Sequence, residues 1–246
     1  MIAYISPLVP KKTGIALYSH HLIRALQPVL AEKDIVLDVF DDHIAETNDA
    51  QSDYQAYEIL PLIFEESRRK QYSQFIYHFG NSPFFHLPIL QLLRRQKGII
   101  VLHDTVLFYL LAGEGLGGVW RVLSHQSIAS NLSSINEIMT ACNGKNILHY
   151  PSPEKYPFLH AVLSYATTVV VHSQMAKEYV LKSGFKGSIY QVPLIDYQQA
   201  VTANEQLIEN IKVLDLLNQK RFQDKFIIGS IGSVVDYEGL SFLIDS

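Results

Sequence analysis

His103 and Asp104 stand directly behind the apolar run IIVL at 99–102, and His172 and Ser173 stand behind VVV at 169–171. At the carboxyl end of a buried strand in an α/β protein, a side chain projects into the ligand crevice. An imidazole there can donate to or accept from a hydroxyl, and a neighbouring carboxylate can orient it. His103 and Asp104 are therefore the candidate catalytic pair. Plain roles compete: Asp104 as the cap of a helix starting at Val106, and Ser173 as the N-cap of QMAKEYVLK at 174–182. Gly14 follows a loop of turn formers, SPLVPKKT at 6–13, and precedes a helical pattern. A glycine there lets the backbone approach a ligand, and the helix N-terminus favours an anion such as phosphate. It reads equally well as a loop glycine that tolerates positive φ.

Other motifs carry less. GEGLGG at 113–118 has the letters of G-x-G-x-x-G. That fingerprint needs a strand before it, a helix after it and an acidic residue on a second strand about 20 residues on. Glu137 has the spacing, but SSINEIMTACNG around it does not read as a strand, so the string reads as a loop near the site. KKTG at 11–14 lacks the P-loop pattern. The ten histidines include no HExxH and no tight ligand spacing, so no metal site is expected. No G-x-S-x-G is present either, which argues against an α/β-hydrolase nucleophile.

The elements that position these residues follow from periodicity. Strands are expected at 1–6, 35–40, 74–80, 99–104, 167–173 and 188–193, and helices at 15–32, 83–96, 155–166 and 174–184. A polar stretch at 41–53 reads as a loop, and 105–147 as mostly helical with a glycine interruption. Strands alternating with helices of this length predict an α/β fold: a Rossmann-like parallel sheet with helices on both faces. The domain would run over 1–198. A charged helical connector is expected at 199–224, and the opening βα unit of a second domain at 225–246. A lone strand and half a helix cannot bury their apolar faces, so this last unit reads as the start of something longer.

Composition bounds the partners. The chain has 246 residues, 48% hydrophobic and 18% charged, with a net charge of -4, which excludes a disordered protein. The absence of a basic excess argues against nucleic acid as a partner. Cys142 is the single cysteine, so there is no internal disulfide. MIAYISPLVPKK lacks the form of a signal peptide, and no apolar run spans a bilayer, so a cytoplasmic location is expected. The stretches FFHLPILQLLRRQK and VLFYLLAGEGLGGVW fit either core packing with a solvated basic end or contact with a membrane surface through Arg94, Arg95 and Lys97.

Five segments in order resemble the family 4 retaining glycosyltransferases. They are SPLVPKKTGIALYSHHLIRAL (first loop and helix), VLHDTVL (His-Asp strand end), VVVHSQMAKEYV (strand to helix), SIYQVPLI (close of the N-terminal domain) and FIIGSIGSVVDYEGLSFLIDS (start of the C-terminal domain). The resemblance implies the GT-B architecture, two Rossmann-like domains facing a cleft. It implies metal-independent transfer of a sugar from a nucleotide-sugar donor to a hydroxyl of a glycan or lipid-linked acceptor, with retention at the anomeric carbon and no cofactor. Carried over, His103 and Asp104 are catalytic, and Gly14, Gly232 and Ser233 bind the donor. Thr13, Tyr18, Thr105, His172 and Ser173 bind the acceptor. Contact with the inner face of a membrane would suit a lipid-linked acceptor.

The sequence departs from that pattern in the first turn of the C-terminal domain. Ser233 stands where many members carry Arg, and Glu238 where they carry Lys. Glu238 places an anion where a phosphate is expected. Two expectations follow: an incomplete fragment of a glycosyltransferase, inactive alone, or a non-catalytic glycosyltransferase-like binding module.

Overall fold

The computed structural model describes residues 1–42, 44, 54–124 and 128–195. The chain divides into two units, Met1–Leu194 and Ile195–Ser246, and all described residues but Ile195 belong to the first. The expected connector at 199–224 and second-domain opening at 225–246 lie outside the described residues, with Gly232, Ser233 and Glu238.

Among the described residues seven parallel strands form one sheet: β1 (Ile2–Ile5), β2 (Leu37–Asp41), β3 (Ala56–Glu58), β4 (Gln74–Phe79), β5 (Gly98–Leu102), β6 (Ala166–Val171) and β7 (Ser188–Gln191). Their order is β3-β2-β1-β4-β5-β6-β7. The chain winds outward from β1 through β2 to β3, then returns to place β4 on the other side of β1. The topological switch point therefore lies between β1 and β4, where doubly wound sheets bind ligands. This is an α/β, Rossmann-like parallel sheet with helices packed on it, as the alternation predicts.

Pleating sorts the strand side chains into two layers. Ala3, Ile5, Phe75, Tyr77 and Phe79 face one side. There they pack with Ile89, Leu90, Leu92 and Leu93 of α4 (Pro83–Leu93) and with Phe108, Leu110 and Leu111 of α5 (Phe108–Ala112). Tyr4, Val39 and Ile76 face the other, with Ile23 of α1 (Gly14–Ala31). Leu90, Leu92 and Leu93 of α4 are thus core residues. Arg94 at its end pairs with Glu114 instead of standing free.

Several expectations are corrected. β3 and the short helices α2 (Leu60–Phe64) and α3 (Glu66–Arg69) were not foreseen. Asp41 belongs to β2, not to the loop expected to begin there. The glycine string falls between α5 and α6 (Leu116–Leu123), with α7 (Ile128–Ala141) beyond; Gly115 takes φ +75° as the N-cap of α6. Glu114 bonds Gln91 and also pairs with Arg121 at 3.4 Å, so this is a packed helix corner, not a loop at the site. The helix expected over 155–166 contracts to α8 (Leu159–Leu163). Its N-cap, Phe158, sits at φ +50°, a left-handed conformation that no helix can run through. α9 (Gln174–Lys182) is the last helix among the described residues.

Candidate functional site

Register brings three histidines to one face of the sheet. His78 pairs with Val101 of β5, so His103, two residues on, lies on the same face. Val101 pairs with Val170 of β6, which by the same step places His172 level with His103. The ladder continues past the end of β5 through the bond from His103 N–H to Phe79 O, 2.9 Å. Tyr4 pairs with Ile76, so Tyr4 also shares this face, and its ring lies 4.6 Å from that of His78.

α1 covers this layer. Thr13 caps the helix, its Oγ1 accepting from Ile15 N at 3.4 Å. Tyr18, buried on the inner side of α1, sits among the imidazoles at 4.8 Å from His103, 5.2 Å from His172 and 5.7 Å from His78. The rings of His103 and His172 are 5.2 Å apart. His103 Nε2 and His78 Nδ1 share a hydrogen bond of 3.1 Å. His172 Nδ1 donates to Val192 O at 2.9 Å. Below the cluster, Tyr4 OH donates to Ser19 Oγ (3.0 Å), Ser19 to Ser6 Oγ (2.6 Å) and Ser6 to Pro7 O (3.1 Å), a chain that ties β1, α1 and the first loop.

Burial dominates the electrostatics. It drives His78 well below the ordinary imidazole range, with the neighbouring His103 and His172 adding to the effect. It takes His103 down to about 3, again helped by His172 and then His86. Both rings are neutral at physiological pH. Two nitrogens, His78 Nε2 and His172 Nε2, are buried without a partner among the described residues. His86, also buried, donates Nδ1–H to Ser82 O at 2.9 Å, and burial lowers it to about 4.

Asp104 does not orient His103. Its Oδ2 accepts from Asn81 N at 2.8 Å, and Asn81 Oδ1 in turn accepts from Tyr109 N (2.9 Å) and Leu110 N (3.3 Å). Asn81, reaching across from the β4–α4 turn, caps α5, and Asp104 holds Asn81. The cap expected of Asp104 at Val106 is thus replaced by Asn81, and α5 starts at Phe108. Desolvation raises the Asp104 carboxyl, opposed by the Asn81 N–H. Gly80 is needed at this turn, because a Cβ on it would stand 2.6 Å from Ile15 Cδ1 and 3.0 Å from Asp104 Oδ2.

The other expected residues divide. Ser173 Oγ accepts from Ala176 N at 3.1 Å, the plain capping role. Thr105 is half-buried behind Asp104. Gly14 is exposed with nothing within 4 Å of a Cβ, and it does not take positive φ, so its value is open space at the start of α1.

A second polar group at the same sheet edge escaped the sequence reading. Asp41, 1% exposed, accepts Leu8 N–H on Oδ2 (2.9 Å) and Asp42 N–H on Oδ1 (2.8 Å), and Lys11 Nζ lies 2.7 Å from Oδ1. Lys11 also pairs with Asp42. Burial pushes the Asp41 carboxyl up to about 7 against the pull of Lys11. In dinucleotide enzymes an acidic residue at this strand end binds the ribose. Here Lys11 pairs with it, and the glycine string lies between α5 and α6 and not behind β1, so neither part of that arrangement is present among the described residues.

Among the described residues no group of three His, Cys, Asp or Glu is placed to hold a metal ion, and no helix is long and apolar enough to cross a membrane. Comparison with protein-family models, curated proteins and solved structures finds no match to this chain.

Proposed function

We propose that this chain is the acceptor-side half of a retaining glycosyltransferase of GT-B architecture. The observation that carries the reading is His103: a neutral imidazole at the carboxyl end of β5, flanked by Tyr18 and His172. The five ordered sequence segments and the doubly wound sheet support it. An uncharged ring suits a sugar hydroxyl, which it can hydrogen-bond without setting a competing charge near the anomeric carbon. Tyr18 and His172 flank the sugar, and Asp104 keeps Oδ1 available for an acceptor hydroxyl while Oδ2 holds Asn81. Thr13 and Ser173 serve through the helix starts they cap. The open start of α1 at Gly14 leaves room for a donor diphosphate at the helix N-terminus. The bond from C1 to the diphosphate breaks, the acceptor oxygen joins C1 on the same face, and its proton leaves with the phosphate. No metal is needed in this scheme, and the acceptor is a glycan or a lipid-linked sugar.

The test is transfer of a labelled sugar from a panel of UDP-, GDP- and dTDP-hexoses by the full-length protein. Transfer that His103→Ala lowers about 10²-fold or more supports the reading. Failure to bind any member of the panel overturns it. A second reading, a non-catalytic binding module, rests on Glu238, an anion at a position where the resembling family carries a phosphate-binding lysine. Donor binding without transfer favours it.

A further inference from the structure

The bond between His78 and His103 admits two arrangements. In one, His103 Nε2–H donates to His78 Nδ1, and the proton of His78 then sits on Nε2. That nitrogen is buried without a partner among the described residues, so the arrangement buries an orphaned N–H. In the other, His78 Nδ1–H donates to His103 Nε2, and the buried Nε2 of His78 is a bare ring nitrogen. Orphaned buried donors are rarer and costlier than under-used acceptors. The second arrangement is therefore the stable one. His172 also donates Nδ1–H, to Val192 O, and its Nε2 is buried without a partner among the described residues.

We propose that His78 is a positioning residue: its buried Nδ1–H holds His103 as the Nδ1–H tautomer, so His103 shows its ligand a donor and no lone pair. Which nitrogen of a histidine carries the proton is set by the bond the other nitrogen makes. With Nε2 engaged below, Nδ1 is the nitrogen left for a ligand, and it makes no bond among the described residues. Under the glycosyltransferase reading, on which this consequence rests, His103 is not a base. It selects a sugar that offers an oxygen acceptor at that point and rejects one carrying an ammonium group there, because two donors would then face each other.

Long-range ¹⁵N–¹H spectra of histidine-labelled full-length protein at pH 7 test this directly, with His103→Gln supplying the assignment. The expected result is Nδ1–H at both His78 and His103. An Nε2–H signal from His103, or a mixture of tautomers, overturns the proposal. In His78→Phe, His103 should move toward Nε2–H. In His78→Asn, whose amide N–H takes the place of Nδ1–H, it should stay Nδ1–H. A tautomer unmoved in both variants also overturns it. If neither variant folds, the wild-type spectrum decides. Transfer should fall about tenfold in His78→Phe and largely recover in His78→Asn, the scale on which a lost orienting partner acts. The two readings fail separately. Nδ1–H at His103 in a protein that binds no sugar nucleotide overturns the glycosyltransferase, not the tautomer. Transfer with Nε2–H at His103 overturns the tautomer alone.

Discussion

At the carboxyl edge of one sheet the molecule buries two polar groups built on opposite terms. Behind β2, every oxygen of Asp41 is used: Leu8 N–H on one, Asp42 N–H and the Lys11 ammonium on the other. Behind β4, β5 and β6, the neutral rings of His78 and His103 pack with His172 and Tyr18, and His103 Nδ1 makes no bond among the described residues. Both are at positions where doubly wound sheets bind ligands. A saturated group can only hold the first loop to β2, whereas a group with unspent hydrogen-bonding capacity can still engage something from outside. Position at a strand end nominates a site; leftover valence selects between nominees.

The comparison breaks most sharply at Lys11. Lys11→Met strands a buried carboxylate and should cost about 3 kcal/mol in urea unfolding, while Lys11→Met with Asp41→Asn should recover most of it. An equal loss in single and double variants would show that the pair is not what holds the loop. His103→Ala should do the reverse, cutting transfer about 10²-fold with little change in the unfolding midpoint. His172→Ala should cut transfer less, because Nδ1 of His172 is committed to Val192.

Acid separates the two groups by sign. The pKa of His103 is lowered from 6.5 to about 3, so the unfolded chain binds more protons in that window, and stability falls as pH drops through it. Asp41 is raised from 3.8 to about 7, so the folded chain binds more protons, and stability falls as pH rises through that window. In unfolding series from pH 4 to 7, His103→Gln should flatten the acid loss by up to about 1.4 kcal/mol per pH unit, and Asp41→Asn should steepen it. Matching slopes in both variants would refute the assignment. The smallest effect is expected at Asn81, whose change to Ala removes the cap of α5 and should cost about 1 kcal/mol; an unchanged midpoint would show that α5 does not depend on this side chain.

The architecture was legible because most of its strands are apolar runs separated by helices with 3.6-residue spacing. β3 was not, since AYE is three residues long with no alternation to read, and it pairs only with β2. His103 and His172 could be named because each is the first residue after an apolar run. His78, also at a strand's carboxyl end, could be placed at the ligand edge but given no role: it stands inside β4, one residue before its end. The signal available was parity, since His78 alternates with Phe75, Tyr77 and Phe79 and so had to face away from that layer. Lys11 and Asp41 are 30 residues apart in sequence with no motif between them, and only the parallel pairing of β1 with β2 brings the loop to the strand end. Asp104 was correctly placed but given the wrong partner, because the turn carrying Asn81 arrives from another strand.

The neutrality of His78 and His103 has a kinetic consequence. Uncharged rings cast no field beyond contact range, so these residues do not draw a charged ligand in from solution. Whatever binds there arrives by unassisted diffusion and is recognised only on touching. Its association rate at these residues should therefore stay nearly constant as ionic strength rises, unlike an anion pulled toward a cationic cleft.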